Sequence, residues 1–475
     1  MSTATEPRKG WASLKDLTGY QWFVFIVCCL AWDLDCMDQQ LFVLARDPAL
    51  TALVEKPADD PDGTKLVKLV GKLGSNATAI FMIGWAVGGI GFGVLGDRLG
   101  RVKTLTATIG LYAVFTGLSA LSGQFIDGVT DFMLFRFLTG LGVGGAFAAA
   151  VVLLAESMPD NARPYILGMF QASSVLGNCS AALISMYLGS LEKQNAFPPG
   201  GWLNAWRIMF LIGILPGVLL VLVQFTLKEP EKWKAMRAAE LEGKRPSPFE
   251  AFFGTLQAML TTQPWAKRAI LGLLLTGAGV IGLWGIGFFS PRLVGLALTE
   301  SLKAEGFTGA DLKGEVTKWR GITSLMQNGG AFLGIFAFSW VTGLFGRRPS
   351  FALFFILAAF ATAGTFWNLK TKDDILWMVP LMGFCQLALF GGFAIYLPEL
   401  FPTKFRSTGT SFCYNAGRLI AAIGPFTLGY LESSVYGGYG TDALRYAGVT
   451  MCSIFFLGLL ALPFLPETKG KPLPE

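Results

Sequence analysis

Twelve apolar runs, each about as long as a bilayer's hydrocarbon core is thick, leave this chain little choice of fold. They lie at residues 20–45, 75–95, 104–124, 131–155, 164–190, 203–227, 267–291, 320–342, 350–368, 374–397, 408–432 and 444–465. A helix rises about 1.5 Å per residue, so about 20 residues cross a core of about 30 Å. Twelve crossings use about 240 positions, close to the apolar content of a 475-residue chain that is 53% hydrophobic. Little is left for a soluble domain. Only 15% of residues are charged, against about 25% in soluble proteins, so the chain reads as an all-α membrane protein.

The first 20 residues are polar, and no small-residue cleavage site follows the first run, which therefore reads as a retained membrane helix and not a removed signal. An even number of crossings puts both termini on one side. Arg98, Arg101, Lys103, Arg347, Arg348, Lys404 and Arg406 fall in short connections on that side, whereas the connection near Asp127 and Asp131 carries no basic residue. The positive-inside rule then makes both termini cytoplasmic, although the outer connections at 46–73 and 292–319 contain lysines. The net charge of +6 is of the kind such cytoplasmic loops collect and calls for no nucleic-acid partner.

Histidine is absent, which excludes imidazole zinc sites, Ser-His-Asp triads and histidine proton relays. The seven cysteines, at 28, 29, 36, 179, 385, 413 and 452, sit in apolar runs without a CxxC pair, as small hydrophobes do. No metal site or cofactor is expected. Gly140-Leu141-Gly142-Val143-Gly144-Gly145 mimics a nucleotide-binding run but lies inside a membrane helix with no preceding strand, so close helix packing is its expected role.

The chain repeats itself. Glu156 to Arg163 and Glu399 to Arg406 share the pattern ExxPxxxR, and Gly100-Arg101 recurs as Gly346-Arg347, each after an apolar run in the corresponding place. Duplication of a six-helix unit follows. The expected organisation is an N-terminal tail (1–19), a first six-helix bundle (20–227), a charged linker with Pro230, Pro246 and Pro248 (228–266), a second bundle (267–465) and a C-terminal tail (466–475).

Gly93-Val94-Leu95-Gly96-Asp97-Arg98-Leu99-Gly100-Arg101-Val102-Lys103, between the second and third runs, resembles the signature loop of the major facilitator superfamily. Arg136-Phe137-Leu138-Thr139-Gly140 is similar to a second motif of that superfamily, and Pro466-Glu467-Thr468-Lys469-Gly470 to the ending of its sugar porters. The resemblance implies two pseudo-symmetric six-helix bundles around a central cavity, one half rocking against the other. Gly343 stands where the second half would carry the loop aspartate, so the gate formed by Asp97, Arg98, Arg101, Glu156, Arg163, Glu399 and Arg406 is expected to be asymmetric.

Asp33, Asp35 and Asp38 lie inside the first run, where each ionised aspartate costs about 2.5 to 3.5 kcal/mol. At about 100° per residue, Asp35 and Asp38 share a helix face while Asp33 points away. Two carboxylates on one face resist double ionisation, which suits one of them to carry a proton. The alternative is that they pair with Arg136 or Arg418. Asp-x-x-Asp resembles a first-helix motif of aromatic acid and sialic acid proton symporters, with Cys36 in place of its glycine.

Arg418 stands about 10 residues, or about 15 Å, into the eleventh run, and an arginine at that depth is a functional-site candidate. Its planar fork suits a carboxylate, and the segment Pro398 to Arg418 resembles its counterpart in organic anion transporters. Tyr414, Asn415, Gln171, Gln327 and Gln386 are candidate hydrogen-bonding partners of a substrate, and Trp284, Phe288 and Phe289 a stacking surface. Gln171 stands where sugar porters place a sugar-binding glutamine, but the seventh run lacks their paired amides. The expected function is secondary active transport: proton symport of a small organic anion, a sugar acid or aromatic carboxylate, by a monomer in a bacterial inner membrane. A neutral sugar or polyol porter is the alternative. A sensor would want a larger soluble region than the linker offers, and an enzyme would want a nucleophile and base.

Overall fold

The computed structural model describes residues 10–55, 64–193, 202–241, 248–421 and 423–474. A 3-10 turn, Gly10–Asp16, precedes α1 (Gly19–Leu53), whose first turn is closed by a capping box between Thr18 and Gln21. There follow α2 (Thr64–Leu99), α3 (Arg101–Ser119), α4 (Gly128–Ser157), α5 (Arg163–Lys193), and a sixth crossing split at Pro216 into α6 (Ala205–Ile212) and α7 (Pro216–Thr226). Asp127 caps α4, and the N–H groups of Thr130 and Val129 hold its carboxyl below the ordinary aspartate range. The stretch from 228 to 266 carries two helices of its own, α8 (Glu231–Leu241) and α9 (Pro248–Thr261).

The seventh crossing is α10 (Trp265–Val280), a π-helical turn (Ile281–Ile286), a 3-10 turn (Gly287–Phe289) and α11 (Ser290–Ala304). Next come α12 (Gly309–Phe345), α13 (Arg347–Asn368) and α14 (Lys372–Leu400). The eleventh crossing is interrupted: α15 (Arg406–Ser411), a π-helical turn (Phe412–Ala416), α16 (Gly417–Ala421), α17 (Ile423–Tyr430) and a second π-helical turn (Leu431–Val435). The last is α18 (Ala443–Met451) with α19 (Ile454–Ala461). Among the described residues nine helical spans are long and apolar enough on their own to cross a membrane; the third, the split sixth and the interrupted eleventh complete twelve. The fold is the expected one, twelve helices in two related six-helix halves.

Two expectations about connections are corrected. The segments 46–73 and 292–319 are largely helical, because α1 runs to Leu53, α2 starts at Thr64, α11 ends at Ala304 and α12 starts at Gly309. Hydropathy windows stop where lysines begin, but Lys, Leu, Glu and Ala are all good helix formers.

Glycines let the halves be built. A Cβ on Gly88 of α2 would lie 2.0 Å from the Leu141 carbonyl oxygen of α4, and one on Gly144 would lie 2.1 Å from that of Trp85. The run 140–145 is thus a helix-packing surface. α12 and α14 repeat the device: Cβ atoms on Gly330 and Gly334 would lie 1.9 and 2.0 Å from the Pro380 and Phe384 carbonyl oxygens. The face bearing both termini, here called the terminal face, is covered by them. Trp11 stacks on Tyr165 of α5 (4.7 Å between centroids) and on Phe336 of α12 (5.8 Å), bridging the halves. Leu473 is buried, and Pro474 accepts a hydrogen bond from Arg406 Nη2 (2.5 Å).

Overpacking a core costs about 1–3 kcal/mol when side chains can yield, and backbone yields less. Gly88→Val is expected to lower the melting temperature sharply or abolish folding. Gly364→Ala, with nothing within 4 Å, should leave it unchanged or raise it. Thermal unfolding in detergent checks both.

Candidate functional site

Asp35 and Asp38 stand one turn apart on α1 and are fully buried. Asp35 Oδ2 accepts from Gln39 Nε2 (3.1 Å), whereas Asp35 Oδ1 and both oxygens of Asp38 have no partner within normal hydrogen-bond geometry among the described residues. Asp33 is only partly buried and backs onto α5, where Gly177 is needed because a Cβ would lie 2.1 Å from the Asp33 carbonyl oxygen.

Each buried carboxylate has its own arginine. Arg136, from α4, acts electrostatically on Asp38; its Nη2 donates to Ser119 Oγ (2.6 Å) and Thr139 Oγ1 (3.1 Å), and its guanidinium lies over the rings of Phe42 and Phe210 at 5.3 and 4.8 Å. Arg418 comes from the other half and acts on Asp35. Its guanidinium carbon is 4.0 Å from the ring centre of Trp85 and 4.2 Å from that of Tyr414, and Nη1 donates to Asn415 Oδ1 (3.0 Å). Among the described residues Nε of both arginines and Nη1 of Arg136 are buried without a partner, as is the Tyr112 hydroxyl, on which both aspartates act electrostatically. Buried polar groups are nearly always paired. These atoms make the cluster around Asp35, Asp38, Arg136 and Arg418 the candidate site.

The π-helical turn Phe412–Ala416 sets the register of Tyr414 and Asn415, and such turns concentrate at functional sites. Asn415 Nδ2 donates to the Gly144 carbonyl (3.2 Å) and to Ser411 Oγ (3.1 Å), and Ser411 in turn donates to the Gly89 carbonyl. The eleventh crossing is thereby laid against α2 and α4.

The glutamines gather elsewhere. Gln327 Oε1 accepts from Ser290 Oγ (3.2 Å), Gln386 Nε2 donates to Thr362 Oγ1 (2.7 Å), and the two amides meet at Gly287, where a Cβ would come within 2.6 Å of Gln386 Oε1. Half-buried Trp284 lies in the π-helical turn just before. Gln171 of α5 is buried with Oε1 unpartnered, beside Phe170, which stacks with Trp32. Among the described residues no hydrogen bond joins Gln171, Gln327 or Gln386 to Arg418. The side chain of Phe288 lies outside the described residues.

At the terminal face the repeats become a network. Gly100 and Gly346 have φ of 113° and 97°, a conformation that favours glycine. The helix start after each is capped by one glutamate: Glu229 accepts from Arg101 N (2.7 Å), Val102 N (3.0 Å) and Lys103 N (3.2 Å), Glu467 from Arg347 N (2.9 Å) and Arg348 N (3.0 Å). Arg101 forks onto Glu156 and Arg347 onto Glu399, both bidentate at 2.7–3.0 Å. Then the halves diverge. Glu156 also pairs with Arg406 across the interface, while Glu399 takes the Thr468 hydroxyl (2.6 Å) of its own half. Asp97 reaches across to Ser407 N (3.0 Å), Thr408 N (2.8 Å) and Thr408 Oγ1 (2.7 Å), whereas Gly343 packs beneath the Tyr165 hydroxyl. Arg163 pairs with Asp160 and donates to the Ala155 carbonyl (2.8 Å), and Arg98 donates to Thr255 of α9 (2.8 Å).

Sequence reasoning passed over Trp85, Tyr112, Glu229 and Glu467 as functional positions. Pairing Leu227-Lys228-Glu229 with Leu465-Pro466-Glu467 as a further Leu-x-Glu repeat would have exposed the two capping glutamates.

The sugar (and other) transporter family model matches residues 56–246 and 370–475. A putative metabolite transport protein of Haemophilus influenzae is 30% identical over 82% of this chain and 86% of its own. The cis,cis-muconate transport protein of Acinetobacter baylyi is 29% identical over 85% and 86%. Among solved structures the proton:xylose symporter XylE superposes with a TM-score of 0.70 at 17% identity, covering 96% of this chain and 98% of that one.

Burial works to raise the Glu467 carboxyl, but the N–H groups of Arg347, Lys469 and Arg348 and the Arg347 charge hold it below the ordinary glutamate value. A depressed acid stabilises the fold fully above its unfolded value of about 4.5 and loses that contribution as pH falls through its lower folded value. The melting temperature of Glu467→Gln should therefore sit below wild type at neutral pH, with the two curves converging on acidification below about pH 4.5.

Proposed function

Because the chain belongs to the sugar (and other) transporter family, within the major facilitator superfamily, we propose that it carries a small organic anion, a sugar acid or aromatic or diene carboxylate, together with a proton by alternating access. It is a multi-pass membrane transporter of small molecules and not an enzyme. The observation that carries the proposal is the pairing of two buried carboxylates with two arginines that still hold free donors, one arginine on each half.

The chemistry follows from charge. Asp35 and an incoming carboxylate compete for Arg418, the only one of the two arginines contributed by the far half. When the substrate takes Arg418, Asp35 loses its countercharge, and a buried carboxylate without one is neutralised by a proton. Asp38, facing Arg136 within one half, offers a second proton site that the substrate does not touch. Asn415 and Tyr414 orient Arg418, and Gln171 is available to a hydroxyl or second carboxylate. Asp97, Arg101, Glu156 and Arg406 hold the terminal face shut and must part for release on that side. We place this face in the cytoplasm of a bacterial inner membrane, with one chain as the working unit. The muconate transport protein among its relatives supports the carboxylate class. A neutral sugar or polyol finds amides at Gln171, Gln327 and Gln386, but brings no anionic acceptor to the unpartnered donor of Arg418.

Charge-assisted hydrogen bonds contribute about 1.5–3 kcal/mol, so Arg418→Ala should weaken carboxylate binding at least about tenfold, with Arg418→Lys recovering little because lysine lacks the planar fork. Binding by calorimetry checks this. Asp35→Asn should abolish accumulation driven by a pH gradient in proteoliposomes while leaving substrate exchange without a gradient. Gradient-driven accumulation at the wild-type level in Asp35→Asn would remove Asp35 from coupling.

A further inference from the structure

Trp85 Nε1 is buried without a partner among the described residues, in a residue only 4% exposed, and it belongs to the indole on which Arg418 is stacked. Arg418 Nε, in a residue 5% exposed, is likewise unpartnered. Two unsatisfied donors on one stacked pair, from opposite halves of the molecule, call for an acceptor that can serve both. A carboxylate, with two oxygens and lone pairs to spare, is such an acceptor. Resting on the anion-transport reading above, we propose that Trp85 Nε1 and Arg418 Nε together seat one carboxylate group of the carried anion, and that Trp85 is a substrate-binding residue.

The surroundings hold Trp85 for this work. Its backbone is clamped in the α2–α4 crossing, where Cβ atoms on Gly140 and Gly144 would lie 3.0 Å from Trp85 N and 2.1 Å from Trp85 O. Its ring is held edge-on by Phe81 at 5.6 Å. The indole is therefore preorganised, while Arg418 arrives on the eleventh crossing with its guanidinium also 4.2 Å from the ring centre of Tyr414. Ser411 and Asn415 fasten that crossing to Gly89 and Gly144. The seat is complete only while they do. A carboxylate that binds it therefore favours the state in which the halves meet at this level, by its differential affinity for that state.

The test uses the full-length chain in detergent with cis,cis-muconate, benzoate and neutral dimethyl muconate as probes, by calorimetry, and counterflow in proteoliposomes. Trp85→Phe keeps an aromatic face for Arg418 and removes the N–H. It should weaken binding of muconate and benzoate about tenfold, raise the substrate concentration for half-maximal counterflow by a similar factor, and leave the melting temperature and any binding of the diester unchanged. Trp85→Ala, losing the stack as well, should weaken the carboxylates further. Unchanged carboxylate affinity in folded Trp85→Phe would overturn the seat while leaving the Arg418 assignment standing. Equal weakening for carboxylates and diester would assign Trp85 to packing and overturn it too. Failure of the wild-type chain to bind either carboxylate would overturn the anion reading itself, and the seat with it.

Discussion

Four ionisable side chains buried deep in membrane-spanning helices, Asp35, Asp38, Arg136 and Arg418, set the terms for everything around them. Each charge in a water-poor interior is expensive alone and tolerable beside its opposite. Their division matters more than their number. Asp38 and Arg136 belong to one half, whereas Asp35 looks across to Arg418 on the other. One pair is internal and can persist through a rocking motion; the other spans the moving interface and cannot. Among the described residues neither is closed by hydrogen bonds, and both arginines keep donors unsatisfied. That leaves room in the electrostatics for a guest anion.

The rest of the molecule brings this centre together and holds it. Glycines at 88, 140 and 144 let α2 and α4 touch backbone to backbone, which stations Trp85, and Gly89 leaves space for Asn415. The interrupted eleventh crossing, with its π-helical turn, presents Tyr414, Asn415 and Arg418 to that surface. At the terminal face the same two halves are latched by Asp97 on Ser407 and Thr408 and by Glu156 on Arg406. The duplicated frame is symmetric in its helix caps, Glu229 and Glu467, and in its forks, Arg101 on Glu156 and Arg347 on Glu399. It is asymmetric in the bridge. One half reaches across with Asp97, and the other has Gly343 at that position, beneath Tyr165.

Much of this was legible in the chain itself because membrane helices betray themselves by hydropathy and because duplicated motifs mark their own equivalence. Asp35, Asp38 and Arg418 stood out as charges where charges are costly. What could not be read was azimuth: which aspartate faces which arginine depends on how α1, α4 and the eleventh crossing are rotated against one another. Trp85 was hidden for a different reason. A tryptophan in an apolar run is unremarkable until its N–H is found unpartnered beside a guanidinium. Glu229 was hidden among the charges of the linker, and the helical extensions in 46–73 and 292–319 were hidden by their lysines.

The central claim is that a carboxylate entering this centre displaces a charge balance that only a proton restores. Calorimetric titration of the purified chain with the carboxylate it binds, repeated in buffers of different ionisation enthalpy, reads that linkage directly. The account predicts an apparent enthalpy that varies with the buffer in proportion to net proton uptake on binding, and loses that variation in Asp35→Asn. A binding enthalpy independent of buffer in the wild-type chain, across the pH range where it transports, would contradict it.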